Sequence, residues 1–345
     1  MKVLHALYSD RKGGLEQAFV NVTQMLLLLG HDVELWVPVK AHFLDGLEAS
    51  CKRVDLTSHG YFDLFAMVRQ HLQLRKSHPD LIITHNSRAT SLLSRVNKGL
   101  AIPHLAFSHG YKTSRFKKVD HLVALTENMR QHFISVGHSP TCVSVFPNVI
   151  YQIPELPMKK EVIENRPIRL GFVGRLTEEK GLEDLLESLS ILKNKFPLEL
   201  HIAGSGPDQS KINDLSEKLG VSSLVFFSGW VDDIQSWMSS IDLIVVPSRA
   251  ESFGMVVLEA AAYGYPVIAS DVDGPASQIT DGVDGWLVKP NDPAGLAAKM
   301  IRVLESPNSW TSIREKAHSR AHNYLMKTQT NSLKEILNKL TSEKS

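Results

Sequence analysis

The feature that most constrains the fold is an alternation of short, continuous apolar runs with longer segments of helical periodicity. In the first half, the runs are KVLHALYS, VELWVPV, DLIITHN, HLAFSHG, HLVALT and VSVFPN, and helical segments such as GGLEQAFVNVTQMLLLLG separate most of them. Uninterrupted apolar strands are typical of a parallel sheet that is covered by helices on both faces. The sequence therefore predicts a doubly wound α/β fold.

This alternation breaks once and then restarts. Residues 151–167 carry three prolines and many charged side chains, which indicates a linker. Further runs then follow, among them IRLGFVG, ELHIAG, LVFFSGW, IDLIVVPS and PVIAS. We expect domains over 1–150 and 168–325, and an amphipathic C-terminal helix over 326–345 that packs back on the first domain. Two such sheets would bind a ligand in a cleft between them, at the carboxyl ends of their strands.

Composition excludes several classes of protein. The chain has 345 residues, with 38 Lys plus Arg against 37 Asp plus Glu, which argues against a nucleic-acid binder that works through bulk charge. Its two cysteines have no CxxC spacing, so a zinc site or a disulfide framework is not expected. The apolar run at the N-terminus is too short for a signal peptide, and no apolar stretch is long enough to span a membrane. We therefore expect a cytoplasmic protein.

Glycines and cations follow the first predicted strand of each half. Gly13 and Gly14 precede a helix, where they allow either an anion-binding helix start or only a tight turn. In the second half, Gly174 is followed by Arg175 and Lys180. Two cations at the mouth of a parallel strand suit a diphosphate, whereas ordinary solvent-exposed loop charges are the alternative.

The next strand of the second half ends in HIAGSGPD, in which Gly204 allows close approach of a ligand. No GxGxxG motif occurs in the chain, which argues against a nicotinamide dinucleotide. The segment ESFGMVVLE then lies between two strand-like runs. We expect Glu251 in a loop and Glu259 one turn inside a helix that runs from about Gly254 to Tyr263. Carboxylates accept hydrogen bonds from sugar hydroxyls, and free helix N–H groups favour phosphate, so the pair fits a nucleotide sugar; an ordinary helix start is the alternative.

In order along the chain, these segments resemble the motifs of the family 4 retaining glycosyltransferases (glycosyl transferases group 1). The segments are GGLEQ, FPNVI, GFVGRLTEEKGLEDLLES, HIAGSGPD, FSGWVDD, VPSRAESFGMVVLEAAAYGYPVIASDVDG and DGWLVKPNDP. The resemblance implies the GT-B fold, in which two Rossmann-like domains face a central cleft. It also implies a nucleotide-sugar donor, by default a UDP-sugar, and an acceptor such as the lipopolysaccharide core.

The resemblance also implies roles for particular residues. Glu251 would bind hydroxyls of the transferred sugar, Glu259 the ribose, and Arg175 with Lys180 the diphosphate. His109 matches the family's histidine near the donor sugar, and it joins Glu251, Arg175 and Lys180 as a catalytic candidate. The donor-binding candidates are Gly13, Gly14, Gly174, Arg175, Lys180, Gly204, Trp230, Glu251, Ser252, Phe253, Gly254, Met255, Val256 and Glu259.

One segment departs from the family pattern. Where relatives often have GGxxE, this chain has DGPAS, with Asp273 in place of a glycine and Ser277 in place of the glutamate. The function of that glutamate is therefore in doubt here. The DVD at 271–273 looks like a metal-binding DxD, but we interpret it as a loop, and we expect no cofactor and no metal ion to be required.

Mechanism and alternatives follow from these assignments. No carboxylate in the sequence can be identified as a catalytic nucleophile. We therefore expect front-face attack by the acceptor hydroxyl, with retention of configuration. The alternatives are a sugar-phosphate synthase or a phosphorylase with the same fold, and a non-catalytic bilobal sugar-binding protein.

The first half also contains a basic, aromatic stretch. Residues 110–122 bring Lys112, Arg115, Lys117 and Lys118 together with Tyr111 and Phe116. This stretch suits peripheral contact with anionic lipid on the inner face of the cell membrane, and a solvated basic loop is the alternative.

Overall fold

In the computed structural model, the chain divides into two compact units, one formed by Met1–Tyr151 with Met326–Ser345 and the other by Gln152–Leu325. The structure describes residues 1–44, 47, 50–56, 63–156 and 166–342. Residues 157–165 of the expected linker therefore lie outside the described residues. No helix in the described part of the chain is both long and apolar enough to cross a membrane.

Within these described residues, the first unit is a sheet of seven parallel strands with helices on both faces. The strands are β1 (Lys2–Leu7), β2 (Asp32–Val37), β3 (Lys52–Asp55), β4 (Leu81–His85), β5 (His104–Phe107), β6 (His121–Ala124) and β7 (Val143–Val145), in the order β3-β2-β1-β4-β5-β6-β7. The helices are α1 (Gly14–Leu28), α2 (Leu64–Ser77), α3 (Ser87–Val96), α4 (Glu127–Ser135) and the C-terminal α12 (Met326–Ser342).

The alternation of side chains along each strand divides the core of this unit into two layers. Val3 and Leu7 of β1 pack with α1 and α12, while Leu4 and Ala6 of the same strand pack with α2 and α3. Both faces of the sheet are therefore apolar, which explains why its strands appear in the sequence as uninterrupted apolar runs. Helix α12 contributes Met326, Leu333, Ile336, Leu337 and Leu340 to the first layer.

The second unit repeats this architecture with six parallel strands in the described residues. They are β8 (Ile168–Val173), β9 (Leu198–Ala203), β10 (Val225–Gly229), β11 (Leu243–Val246), β12 (Val267–Ser270) and β13 (Trp286–Val288), in the order β10-β9-β8-β11-β12-β13. The helices are α5 (Leu182–Leu192), α6 (Gln209–Lys218), α7 (Ile234–Met238), α8 (Met255–Ala262), α9 (Asp273–Gln278), α10 (Pro293–Leu304) and α11 (Trp310–Ala321).

Short 3-10 helices complete the described elements, at His42–Leu44, Pro140–Cys142, Glu178–Lys180, Ser222–Leu224, Pro307–Ser309 and His322–Tyr324. In each sheet the strand order reverses beside the first strand, between β1 and β4 in one unit and between β8 and β11 in the other. The loops that follow these strands diverge at such a switch point and leave room for a ligand. The predicted α/β class with two doubly wound sheets is confirmed.

The structure bears out the interpretation of DVD as a loop for Asp271 and Val272 and corrects it for Asp273. Asp273 is the first residue of helix α9, and Val272 is its extended N-cap. A carboxylate in the first turn interacts favourably with the helix dipole, and Pro275 is tolerated in that turn because its missing N–H has no intrahelical acceptor there. The sequence analysis also missed β3 and β13.

Candidate functional site

Two loops meet at the switch point of the second unit. The loop 174–181 follows β8, the loop 247–254 follows β11, and the two strands are neighbours in the sheet. Arg249 joins the loops, because its amide donates to the carbonyl of Glu179 at 2.8 Å and its guanidinium donates to Asp184 at 2.8 Å. The loops are therefore held side by side by backbone and by charge.

Lys180 and Glu251 form an ion pair across these two loops. The Lys180 Nζ donates to Glu251 Oε2 at 2.5 Å, and both side chains are largely enclosed, at 17% and 18% exposure. The aliphatic stem of Lys180 lies against Gly174, at van der Waals distance from the place of a Cβ there. The structure thus brings together Gly174, Lys180 and Glu251, which the sequence analysis selected separately.

Arg175 lies on the same loop as Lys180 but is exposed to solvent. Among the described residues it forms no ion pair. Its guanidinium therefore remains available for a diphosphate bound at the mouth of β8.

Helix α8 begins directly beyond Glu251. Its N-cap, Gly254, has φ 84°, a left-handed conformation that disfavours any residue with a Cβ, and a Cβ there would also lie 3.2 Å from Glu251 Cγ. The amides of Met255 and Val256 find no acceptor within the described part of the chain, as is expected in the first turn of a helix. These N–H groups form an anion-binding position next to the Lys180–Glu251 pair.

Glu259 lies one turn further along α8. Its side chain is mostly enclosed, and burial raises its pKa to about 7. Within the described residues it has no hydrogen-bond or ion-pair partner. Burial, together with this carboxylate, raises the pKa of Tyr263 to about 12. Such an unpaired, desolvated carboxylate gains most when a ligand hydroxyl donates to it.

A clamp that the sequence analysis missed fixes the loop that carries Glu251. Gln278 of α9 donates through Nε2 to the carbonyl of Phe253, and the carbonyls of Gly254 and Gly274 also lie within 3.4 Å of this nitrogen. Because this atom is surrounded by three carbonyl oxygens, which only accept hydrogen bonds, it is assigned as the nitrogen of the Gln278 amide. The amide of Gly274 also donates to the Glu251 carbonyl at 2.9 Å. A Cβ on Gly274 would lie 2.5 Å from the backbone of Phe253, so only glycine fits there.

The remaining donor candidates of this unit lie on the same edge of the sheet. Gly204 follows β9, and a Cβ there would lie 1.9 Å from the Gly174 carbonyl oxygen, so this glycine lets the two loops pack together. Trp230 follows β10, is half exposed, and donates to Asp232 at 3.1 Å. Ser252 is half-buried, whereas Phe253 is buried and packs edge-on against Tyr324.

Gly13 and Gly14 belong to the first unit, where Gly13 is the N-cap of α1. Glu16, in the first turn of this helix, was not among the residues predicted from the sequence. It is buried, accepts a hydrogen bond from Ser9, and its Oε2 would lie 3.3 Å from a Cβ on Gly13. A carboxylate therefore already lies at this helix start, which limits its attraction for a second anion.

His109 also belongs to the first unit, and its ring pairs with a second histidine. His109 Nε2 lies 3.0 Å from Nδ1 of His85, at the end of β4, and the two rings stack. Burial lowers the pKa of His109 to about 4, and burial also holds the pKa of His85 well below its usual value. Both imidazoles are therefore neutral near pH 7.

The position of the shared proton follows from the other nitrogen of His85. His85 Nε2 is buried without a partner among the described residues. An orphaned N–H costs more than an orphaned lone pair, so we assign the proton of His85 to Nδ1. This N–H then donates to His109 Nε2 and leaves an N–H on Nδ1 of His109, which is available to a ligand.

The basic stretch at 110–122 differs in part from its sequence interpretation. Phe116 is buried against Phe133 and cannot contact lipid, because its side chain belongs to the core of the first unit. His121 and Leu122 are buried in strand β6. The exposed members of the stretch are Tyr111, Lys112, Ser114, Lys117, Lys118 and Asp120.

No metal centre stands out in this geometry. Among the residues that the structure describes, no three His, Cys, Asp or Glu side chains are grouped so that they could hold a metal ion. Independence from a metal ion stays a prediction. The loops after β8 and β11 and the start of α8 instead offer cations, helix N–H groups and the carboxylates of Glu251 and Glu259. Together these groups can bind an anion that carries hydroxyl groups.

Two family models match the chain. The model described as Glycosyl transferases group 1 matches residues 155–320, and the model described as Glycosyltransferase Family 4 matches residues 12–151. Both matches agree with the order of motifs along the sequence.

Curated relatives and solved structures extend these matches. The lipopolysaccharide core biosynthesis glycosyltransferase LpsE of Rhizobium meliloti is 25% identical over 92% of this chain and 93% of its own length. The lipopolysaccharide 1,6-galactosyltransferase of Escherichia coli is 26% identical over 67% of both chains. The Alr3699/HepE protein of Anabaena, crystallised with UDP-glucose, superposes with a TM-score of 0.84 at 19% identity, over 98% of this chain and 99% of that protein.

Proposed function

The chain belongs to the group 1 glycosyltransferases and has the GT-B fold, and from this premise we propose that it moves a sugar from a nucleotide-sugar donor to a hydroxyl of a glycan or glycolipid acceptor. The observation that carries this proposal is the contact of Lys180 with Glu251. The loop that carries Lys180 also carries the exposed Arg175, and the amides of the first turn of α8 follow Glu251 directly in the chain. A diphosphate and a sugar need these groups at adjacent positions.

Each side chain then has a separate role toward the donor. Lys180 and Arg175 bind the diphosphate, helped by the α8 amides of Met255 and Val256. Glu251 accepts hydrogen bonds from hydroxyls of the transferred sugar, and Glu259 accepts them from the ribose. Trp230, half exposed at the end of β10, offers an aromatic face to the donor.

The same groups lower the barrier to transfer. When the bond between C1 of the sugar and the β-phosphate oxygen breaks, the electron pair leaves with that oxygen. Lys180, Arg175 and the α8 amides stabilise the negative charge that develops there. The acceptor oxygen bonds to C1 from the same face, and its proton passes to the departing phosphate. We therefore propose retention of configuration without a required metal ion or cofactor, and ¹H NMR of a product with the inverted anomeric linkage would exclude it.

We propose a UDP-sugar as the default donor. The structural relative HepE was crystallised with UDP-glucose, which supports this choice. A thermal-shift screen with UDP-, GDP- and ADP-sugars tests it, because a ligand that binds only the folded state raises Tm by mass action. We expect a UDP-sugar to give the largest shift, and a larger shift with a GDP- or ADP-sugar would contradict the choice of nucleotide.

The acceptor is proposed to be a growing lipopolysaccharide core or a similar lipid-linked glycan. Two relatives with this type of acceptor in their names support it, LpsE of R. meliloti and the E. coli galactosyltransferase. Exposed Lys112, Lys117 and Lys118 would meet anionic headgroups on the inner face of the cell membrane. A sugar-phosphate synthase is the alternative, and product analysis with a free sugar phosphate as acceptor separates the two reactions.

A further inference from the structure

The charge of the chain is distributed very unevenly. Although Lys plus Arg and Asp plus Glu nearly balance overall, residues 64–119 contain a single acid, Asp80. The same segment contains ten cations: Arg69, Arg75, Lys76, Arg88, Arg95, Lys98, Lys112, Arg115, Lys117 and Lys118. This part of the first unit is therefore strongly positive, and it includes helices α2 and α3.

Helix α2 exposes large apolar side chains within this positive segment. Leu64, Phe65, Val68 and Leu72 are 72%, 92%, 61% and 59% exposed, respectively. At 100° per residue these four side chains fall on one face of the helix. The opposite face buries Ala66, Gln70 and Leu74, so α2 carries large apolar side chains on its solvent face as well as apolar side chains on its buried face.

Cations follow the exposed apolar side chains along the same face. Arg75 and Lys76 are exposed in the last turn of α2, and the helix itself has no acidic residue. From this arrangement we propose that the exposed face of α2 docks on an anionic phospholipid surface, with Phe65 and Leu72 inserted at the boundary between headgroups and acyl chains. The proposal deepens the membrane contact proposed above by identifying the inserted element.

Charge favours this occupant over a second copy of the chain. Helix α2 contains no acid, and its N-cap Asp63 already accepts from the Ala66 amide, so a second α2 offers Arg75 and Lys76 little negative charge, whereas an anionic lipid surface offers much. An exposed helix face with aliphatic and aromatic side chains beside cations instead has the composition of helices that lie in the plane of a lipid interface. Insertion buries the apolar side chains, and each nearby cation adds about fivefold in affinity at low salt.

Sedimentation of the full chain with vesicles tests the proposal. We expect binding to phosphatidylglycerol vesicles at low salt, little binding to phosphatidylcholine vesicles, and loss of at least tenfold in partitioning for Phe65→Ser/Leu72→Ser. Leu28→Ser is the matched control, because Leu28 is 71% exposed on α1, which packs on the other face of the same sheet. Arg75→Gln/Lys76→Gln should lose roughly twentyfold, while Lys327→Gln/Lys334→Gln on α12 should bind as the wild type does.

The following outcomes would overturn the proposal. They are a wild-type protein that stays in the supernatant with anionic vesicles, equal partitioning of Phe65→Ser/Leu72→Ser and Leu28→Ser, and a dimer in light scattering that the α2 substitutions abolish. Binding to an acidic protein surface without binding to vesicles would also overturn it. Release of nucleoside diphosphate from a soluble donor does not depend on α2, so the α2 variants separate failure of docking from failure of sugar transfer.

Discussion

Lys180 and Glu251 neutralise one another: the lysine ammonium lies 2.5 Å from the glutamate carboxylate in the site where we place the donor diphosphate and sugar. A bound diphosphate must compete with Glu251 for this cation. The glutamate therefore has two opposite effects, since it lowers affinity for the phosphates and binds the hydroxyls of the sugar.

The first prediction concerns this competition. Glu251→Gln frees Lys180, so we expect UDP alone to bind roughly threefold to tenfold more tightly than to the wild type, while kcat for the UDP-sugar falls at least tenfold. Isothermal titration with UDP and steady-state kinetics measure the two effects. Asp281→Asn is the control, because it removes a comparable partner from Lys299 on the surface of the same unit. Weaker UDP binding to Glu251→Gln would contradict the competition.

The second prediction is a pH dependence of donor binding. Glu259 has a pKa raised to about 7 by burial, so below pH 7 it is mostly protonated in the free protein. Ribose hydroxyls donate to the carboxylate, which means that binding requires loss of that proton. Affinity for a UDP-sugar should therefore rise about tenfold from pH 6 to a plateau above pH 8. Glu259→Gln should bind weakly with no such rise, and an unchanged profile in this variant would assign the pH dependence to another group.

The third prediction concerns the clamp on the donor loop. Gln278→Met keeps the shape of the side chain but leaves three carbonyls without their shared donor, at a cost of about 1–3 kcal/mol in the free energy of unfolding. Because the loop carries Glu251, the donor KM should also rise severalfold at temperatures well below the Tm. Ser190→Ala is the control, since the Ser190 hydroxyl bonds only within its own helix, α5 of the same unit, and contacts none of these carbonyls. Equal donor KM values for the two variants would show that Gln278 does not position the loop that binds the donor.

The fourth prediction concerns the tautomer of His109. In the wild type, ¹⁵N NMR of labelled histidine should show the proton of His109 on Nδ1, and both rings should stay neutral down to about pH 5. His85→Leu removes the donor to His109 Nε2, so the proton should redistribute to Nε2 and kcat should fall about tenfold with little change in the donor KM. A His109 signal that does not differ between the two proteins would show that His85 has only a packing role.

The regularity of the strands explains why the fold class could be predicted. Runs such as LIVV in β11 and VIAS in β12 are buried on both faces, so composition alone indicates them. Strand β3, with the sequence KRVD, is mostly polar and lies at the edge of the first sheet, where none of the described strands pairs with its outer side. Strand β13 has three residues, too few for a periodicity.

The donor loops could be predicted in part for a similar reason. Lys180 and Glu251 each follow a strand, and the resemblance to the family selected both. Their contact depends on the neighbouring positions of β8 and β11, whose paired residues are 73 positions apart in the chain and carry no local signal of adjacency. Gln278 and His85 were missed because each acts through a distant partner. Phe116 was misinterpreted because sequence does not say which side of a loop faces the core.

The most direct measurement of the central claim is the release of nucleoside diphosphate from a UDP-sugar panel in the presence of a lipopolysaccharide-core acceptor. We predict that the wild type consumes one UDP-sugar with stoichiometric transfer of its sugar, and that Lys180→Gln is at least a hundredfold slower while Lys299→Gln is unchanged. Equal rates for wild type and Lys180→Gln, or no transfer from any donor of the panel, would contradict the account.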